Sequence, residues 1–199
     1  MEPRRAMILP AGDLRYEIRR AGAIVAIEDS SFDGHRIAGE RRFADNANRY
    51  QATAELAEDS SIARITLSYS RGPFNRTASY EAAGDFLRGQ IGRNAVTAKL
   101  GRLREIDADL VIFRALIIAR VRARGQVRWT GRVATIDPAT LVADSNKQSA
   151  RCTDSAGLRW IYEARMGDRE EIELDAAGRI VARRDDRGVE AILIDAARG

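Results

Sequence analysis

The sequence predicts a mainly β protein: a curled antiparallel sheet (half-barrel, barrel or β-roll) with one short apolar helix. Three observations carry this. Apolar and polar residues alternate at period two along almost the whole chain of 199 residues. Turn residues separate the runs at short intervals. One segment, 107–124, interrupts the alternation with a run that is apolar nearly all round. Successive side chains of a strand point to opposite faces, so alternation marks a strand with one buried and one wet face. Antiparallel sheets tolerate that arrangement, whereas parallel sheets are usually covered on both sides.

Residues 1–12 read as a tail and 13–199 as a single antiparallel β domain. Residues 13–28 form a hairpin turning at Ala21-Gly22, with Leu14, Tyr16 and Ile18 on one face and Arg15, Glu17 and Arg19 on the other. Asp33-Gly34 is a strong turn signal leading into a strand over 35–43. Asp45-Asn46-Ala47-Asn48 turns the chain again. Strands over 49–57 and 62–70 flank Glu58-Asp59-Ser60-Ser61, and Arg71-Gly72-Pro73 makes the next corner. Strands follow over 75–82, 85–91 and 94–101, where Gly84, Gly89, Gly92 and Gly101 read as bends or bulges.

The 107–124 segment has two readings. As a helix it has Asp107-Ala108-Asp109 as N-cap candidates, Arg120, Arg122 and Arg124 in its last turn, and Gly125 at the position just past the end. As a strand, Val111, Phe113, Ala115, Ile117, Ala119 and Val121 make a clean apolar face. Periodicity does not decide such a run. The caps favour helix, and the β-branched content argues against it. The run is too short, and too interrupted by arginine, to span a membrane. A strand over 127–136 then ends at Asp137-Pro138, and 139–156 reads as the longest polar connection. The chain closes with strands over 158–166, 169–175, 179–184 and 189–194. Their turns fall at Met166-Gly167-Asp168, Asp175-Ala176-Ala177-Gly178 and Asp186-Arg187-Gly188.

Hydrophobic content of 45% with 31% charged residues is ordinary for a globular chain with one good core. The formal charge is only +4, and acidic residues are interleaved with the arginines. Nucleic-acid binding needs a clustered basic footprint, so it is not the expectation. The densest basic run, Arg114, Arg120, Arg122, Arg124, Arg128 and Arg132, is the alternative: a stripe that would bind an acidic partner or nucleic acid. The N-terminal apolar stretch is far below the roughly 7–15 residues of a signal-peptide core. The expectation is a cytoplasmic protein, although a chain trimmed of its signal would read the same. The sequence does not define an oligomeric state.

Catalytic chemistry is sparse. His35 is the only histidine and Cys152 the only cysteine, so no two-histidine metal site and no structural zinc site can be built. Ser30, Ser31, Asp33 and His35 cluster locally, but no nucleophile-elbow pattern accompanies them, and His35 reads as an exposed turn residue. No phosphate loop or dinucleotide fingerprint is present. The pairs Asp107/Asp109 and Glu170/Glu171 read as a helix cap and a strand edge. No catalytic residue, metal or cofactor is expected, and the residues favour binding over catalysis.

The aromatics carry the binding hint. Trp129, Trp160, Tyr162, Tyr16, Tyr50, Tyr69 and Tyr80 mostly fall on the apolar side of their strands. In a curled sheet they face the concave interior, and an interior too wide for side chains to fill holds an apolar small molecule. The expected ligand-binding residues are Tyr16, Phe113, Trp129, Trp160 and Tyr162. The expected cavity is lined by Trp129, Trp160, Tyr162 and the 110–118 segment.

The opening Leu14-Arg15-Tyr16-Glu17-Ile18 before Gly22, and the closing Ile172-Glu173-Leu174-Asp175 with Gly178-Arg179-Ile180, carry a resemblance. The layout resembles uncharacterised bacterial sheet proteins whose fold is like the half-barrels of lipoprotein-carrier and lipid-binding proteins. The resemblance implies a concave sheet that binds lipid and transfers no functional residue. The missing export signal counts against a true lipoprotein carrier.

Overall fold

The computed structural model describes residues 9–45, 47–164 and 167–198. Residues 1–8 of the expected tail, Asn46 of one expected turn and Met166 of another lie outside the described residues. Strands β1 (Gly12–Arg20), β2 (Ala23–Phe32), β3 (Arg36–Phe43), β4 (Asn48–Leu56), β5 (Ile62–Arg71), β6 (Phe74–Ala83), β7 (Phe86–Ile91) and β8 (Asn94–Lys99) run as a meander. After β9 (Glu105–Asp107) comes the helix α1 (Val111–Ala123). A second meander follows in β10 (Arg128–Ile136), β11 (Ala143–Cys152), β12 (Arg159–Glu163), β13 (Arg169–Leu174), β14 (Ile180–Asp185) and β15 (Val189–Arg198). The fold class is the expected one: mainly β, one helix, a single curled sheet that does not close.

The sheet order is β8-β7-β6-β5-β4-β3-β2-β1-β15-β14-β13-β12-β11-β10-β9. Each pairing is antiparallel except β9 with β10, which is parallel and covers only Val133–Thr135 of β10. A parallel pair needs a crossover, and α1 supplies it. The free edges β8 and β9 overlap instead of pairing. β8 packs against β10 and β11, and Ser145 Oγ donates to the Lys99 carbonyl at 2.5 Å. Tyr80 and Tyr50 reach across with their hydroxyls, to the carbonyls of Leu141 at 2.6 Å and Ala108 at 2.8 Å. Consequently β10 is covered on both faces, and Val133, Ala134 and Ile136 are all fully buried.

The hairpins form where turn chemistry places them. Asp33 Oδ1 accepts from the backbone N–H groups of His35 and Arg36, and Asp45 Oδ1 does the same for Ala47 and Asn48. Gly84 and Gly92 sit in the β6–β7 and β7–β8 turns with left-handed φ, not within strands as expected.

The 107–124 ambiguity resolves to helix for a physical reason. Val111–Val121 is buried all round inside the roll. A segment crossing that interior has no strand edge to pair with, so its backbone must satisfy itself, which a helix does. The expected aspartate cap is not what starts it. Leu110 occupies the N-cap without a side-chain cap bond, and the Val111 N–H instead donates to Glu28 Oε1 on β2 at 2.6 Å. A carboxylate there also meets the positive end of the helix. The C-terminus is as expected: Gly125 takes φ +67, with Gly125 N–H on the Arg122 carbonyl and Gln126 N–H on the Val121 carbonyl.

Residues 139–156 are not a long connection. Most of them form β11, paired on both sides. Its inward residues include Gln148, a polar group buried against hydrogen-bond partners, so the apolar half of the alternation is missing where a strand nevertheless exists.

Candidate functional site

Two polar rows cross the inner face. The first runs Tyr16, Glu28, Arg41, Tyr50 and Tyr69 across β1–β5, each residue directly opposite the next. The second runs Trp129, Ala150, Tyr162 and Glu170 across β10–β13. The segment leading into α1 joins them. Arg41 pairs with Glu28 at 2.9 Å and with Asp109 at 3.0 Å. Arg114 pairs with Asp107 at 3.0 Å and with Glu170 at 3.1 Å, and its guanidinium lies 3.9 Å over the Tyr162 ring. Glu170 also meets Arg183 at 3.0 Å. Tyr162 donates to Gln148 Oε1, and Gln148 donates to Thr135 at 2.9 Å.

Burial governs the acids here. It pushes Glu28 and Asp107 up against the opposing pull of Arg41 and Arg114. Burial pushes Asp109 up too, but Arg41, Arg183 and Arg114 together outweigh it and hold Asp109 below its ordinary value. Near the other end of α1, Arg120 pairs with Glu105 at 3.0 Å, both fully buried. Burial pushes Glu105 up to about 7 despite Arg120 and Arg124. Arg120 Nε and Glu105 Oε1 lack hydrogen-bond partners among the described residues.

This network corrects two expectations. Glu170 is not an edge charge: it is buried, and only Glu171 is exposed. The arginine run does not make a stripe either, because Arg114 and Arg120 turn inward and are buried while Arg124, Arg128 and Arg132 are exposed.

The interior is occupied rather than open. α1 occupies it with Val111–Val121 buried, and among the described residues no cavity lined by Trp129, Trp160, Tyr162 and 110–118 together is found. Tyr16 and Phe113 are fully buried, and the Tyr16 hydroxyl has no partner among the described residues. Trp160 is buried with Nε1 donating to the Gly157 carbonyl at 3.0 Å. Trp129 and Tyr162 share a row, flanking Ala150. Of the expected residues, Trp129, itself only 8% exposed, lines an open depression with one edge.

That depression, about 450 Å³, lies beside the first half of β10 and the C-terminal end of α1. It is lined by Arg102, Leu103, Arg124, Trp129, Gly131 and Arg132, among others. It exists because β9 pairs only from Val133 onward, so Arg128–Arg132 has no strand on that side among the described residues. Gly131 lets the indole lie flat along the strand: a Cβ there would stand 2.4 Å from the Trp129 ring. Arg102 and Leu103 escape sequence reasoning, since the coil between β8 and β9 carries no periodic signal. A larger depression of about 580 Å³ lies on the outer face of β15, β1, β2, β3 and β4. Its charged lining is mainly acidic (Asp13, Asp29, Glu40 and Asp195), with Arg15 on Asp29 and the neighbouring Arg49 on Glu40, each at 2.6 Å. It offers a ligand less than the Trp129 depression does.

Among the described residues, His35 is exposed in its turn, no cluster of three acidic, histidine or cysteine side chains is placed to hold a metal, and no helix is long and apolar enough to cross a membrane.

Solved structures share this architecture. A DUF1089 family protein from Pseudomonas aeruginosa superposes with a TM-score of 0.62 at 19% identity, covering 82% of this chain and 90% of its own. A beta-barrel-like protein of the domain of unknown function DUF1849 from Brucella abortus superposes with a TM-score of 0.60 at 11% identity, covering 96% of this chain and 100% of its own. No protein-family model and no curated protein matches the chain. At these identities the likeness is one of fold alone.

Proposed function

We propose that the protein is a non-enzymatic binding module for a small amphipathic molecule, held at the end of the roll rather than within it. The observation that supports this is the depression at Trp129. There an indole and Leu103 lie beside charged groups in a concavity of about 450 Å³, the mix of apolar lining and few polar groups that small-molecule sites use. The helix-filled interior moves the ligand from the concave sheet to this mouth. The test is native mass spectrometry of freshly purified protein against its denatured mass, with Trp129 fluorescence read in a Trp160→Phe background. Retained small-molecule mass that Trp129→Ala abolishes, and a saturable Trp129 response to a neutral alkyl maltoside below its micelle concentration, are expected. A clean mass together with a flat response overturns the reading.

A further inference from the structure

We infer that the Trp129 depression selects a ligand with an anionic head group, phosphate-like or carboxylate-like, read by Arg102, Arg124 and Arg132. This rests on the binding reading above and adds the chemistry of the ligand's polar end.

Some of the arginines of this protein are matched to acids. Arg41, Arg114 and Arg120 are paired inside the roll, and Arg15, Arg42, Arg49 and Arg64 are paired on the outer sheet. The lining of the depression holds three arginines and no acid. Among the described residues Arg102, Arg124 and Arg132 form no ion pair. Arg124 donates to the Arg120 carbonyl at 2.8 Å and Arg132 to Ser145 Oγ at 3.3 Å. The neighbouring acids are engaged elsewhere: Glu105 holds Arg120 at 3.0 Å, and Asp59 lies 3.9 Å from the same guanidinium.

The strand register adds an independent argument. On the outer face of β10–β11, Arg128 stands directly opposite Arg151 and Arg132 directly opposite Lys147. Like charges directly across a strand pair are destabilising. These facing cations add positive charge to the outer face beside the depression, which Arg132 also lines. An anion in the depression would accept charge-assisted, forked hydrogen bonds from the guanidiniums that line it, with its apolar end toward Trp129 and Leu103.

The experiment titrates the Trp160→Phe protein with decyl phosphate, decyl maltoside and inorganic phosphate, each below any micelle concentration, reading Trp129 fluorescence. Decyl phosphate is expected to bind tighter than decyl maltoside by about tenfold or more, the scale of one or two charge-assisted hydrogen bonds. The advantage of decyl phosphate over decyl maltoside should shrink with added salt and vanish in Arg102→Gln/Arg132→Gln. These arginines are exposed, and unchanged circular dichroism checks the fold. Equal binding of both alkyl probes, insensitive to the arginine substitutions, overturns the anionic-head inference and leaves the amphipath reading standing. Inorganic phosphate binding as tightly as decyl phosphate keeps the anion site and overturns the amphipath reading. No response to any probe overturns both.

Discussion

Glu105→Gln should stabilise the protein at alkaline pH, although it removes one half of a buried ion pair. Glu105 is fully buried beside Arg120, and burial raises it from 4.5 to about 7 against the pull of Arg120 and Arg124. The folded chain therefore binds more protons than the unfolded chain across that interval. Stability from the protonated group is fully present below 4.5 and is lost as pH rises through about 7. The gap corresponds to about 3 kcal/mol. Glutamine mimics the protonated form and does not titrate. Urea denaturation of both proteins across this range should show nearly equal stability at the acid end and an advantage for glutamine approaching about 3 kcal/mol above the folded value. A variant less stable than the parent at alkaline pH would refute the reasoning, because the Arg120 pair would then outweigh burial.

Arg114→Met strands Asp107 and Glu170 without their shared guanidinium and should cost about 3–5 kcal/mol in urea denaturation. Adding Asp107→Leu and Glu170→Leu should recover much of it, and a neutral single variant would contradict the buried pairing. Gly131→Ala forces the Trp129 indole off the strand and should cost about 1–3 kcal/mol. It should also shift Trp129 emission in the Trp160→Phe background, and unchanged emission would show that the indole lies elsewhere. Gly125→Ala, at a left-handed position, should cost about 1 kcal/mol, read as a lowered melting temperature. An unchanged melting temperature would mean the helix end relaxes freely.

The strands with apolar inward positions were legible in the sequence, because Tyr16 and Ile18, or Ile65 and Leu67, alternate cleanly with wet neighbours. β11 was not, since its inward positions include Gln148, whose burial rests on partners contributed by α1, β10 and β12. The helix was ambiguous for the same reason: only the enclosing roll forbids Val111–Val121 from being a strand. The apolar position of Trp129 was legible, and its placement at an open mouth was not. That mouth depends on where β9 stops pairing and on the coil carrying Arg102 and Leu103, neither of which leaves a periodic trace.

The pairing of β1 with β15 bears on how the protein is made. The first and last strands lie side by side at the centre of the sheet, and the middle of the chain supplies both of its free edges. During synthesis the N-terminal meander can zip up hairpin by hairpin, which is fast because the contacts are local. Yet β1 gains its second neighbour only when β15, the last of these strands to be translated, has emerged. Until then the nascent sheet carries a nine-residue strand with one bare edge. Bare edges recruit other chains, so the topology leaves β1 open to such pairing until β15 docks on it.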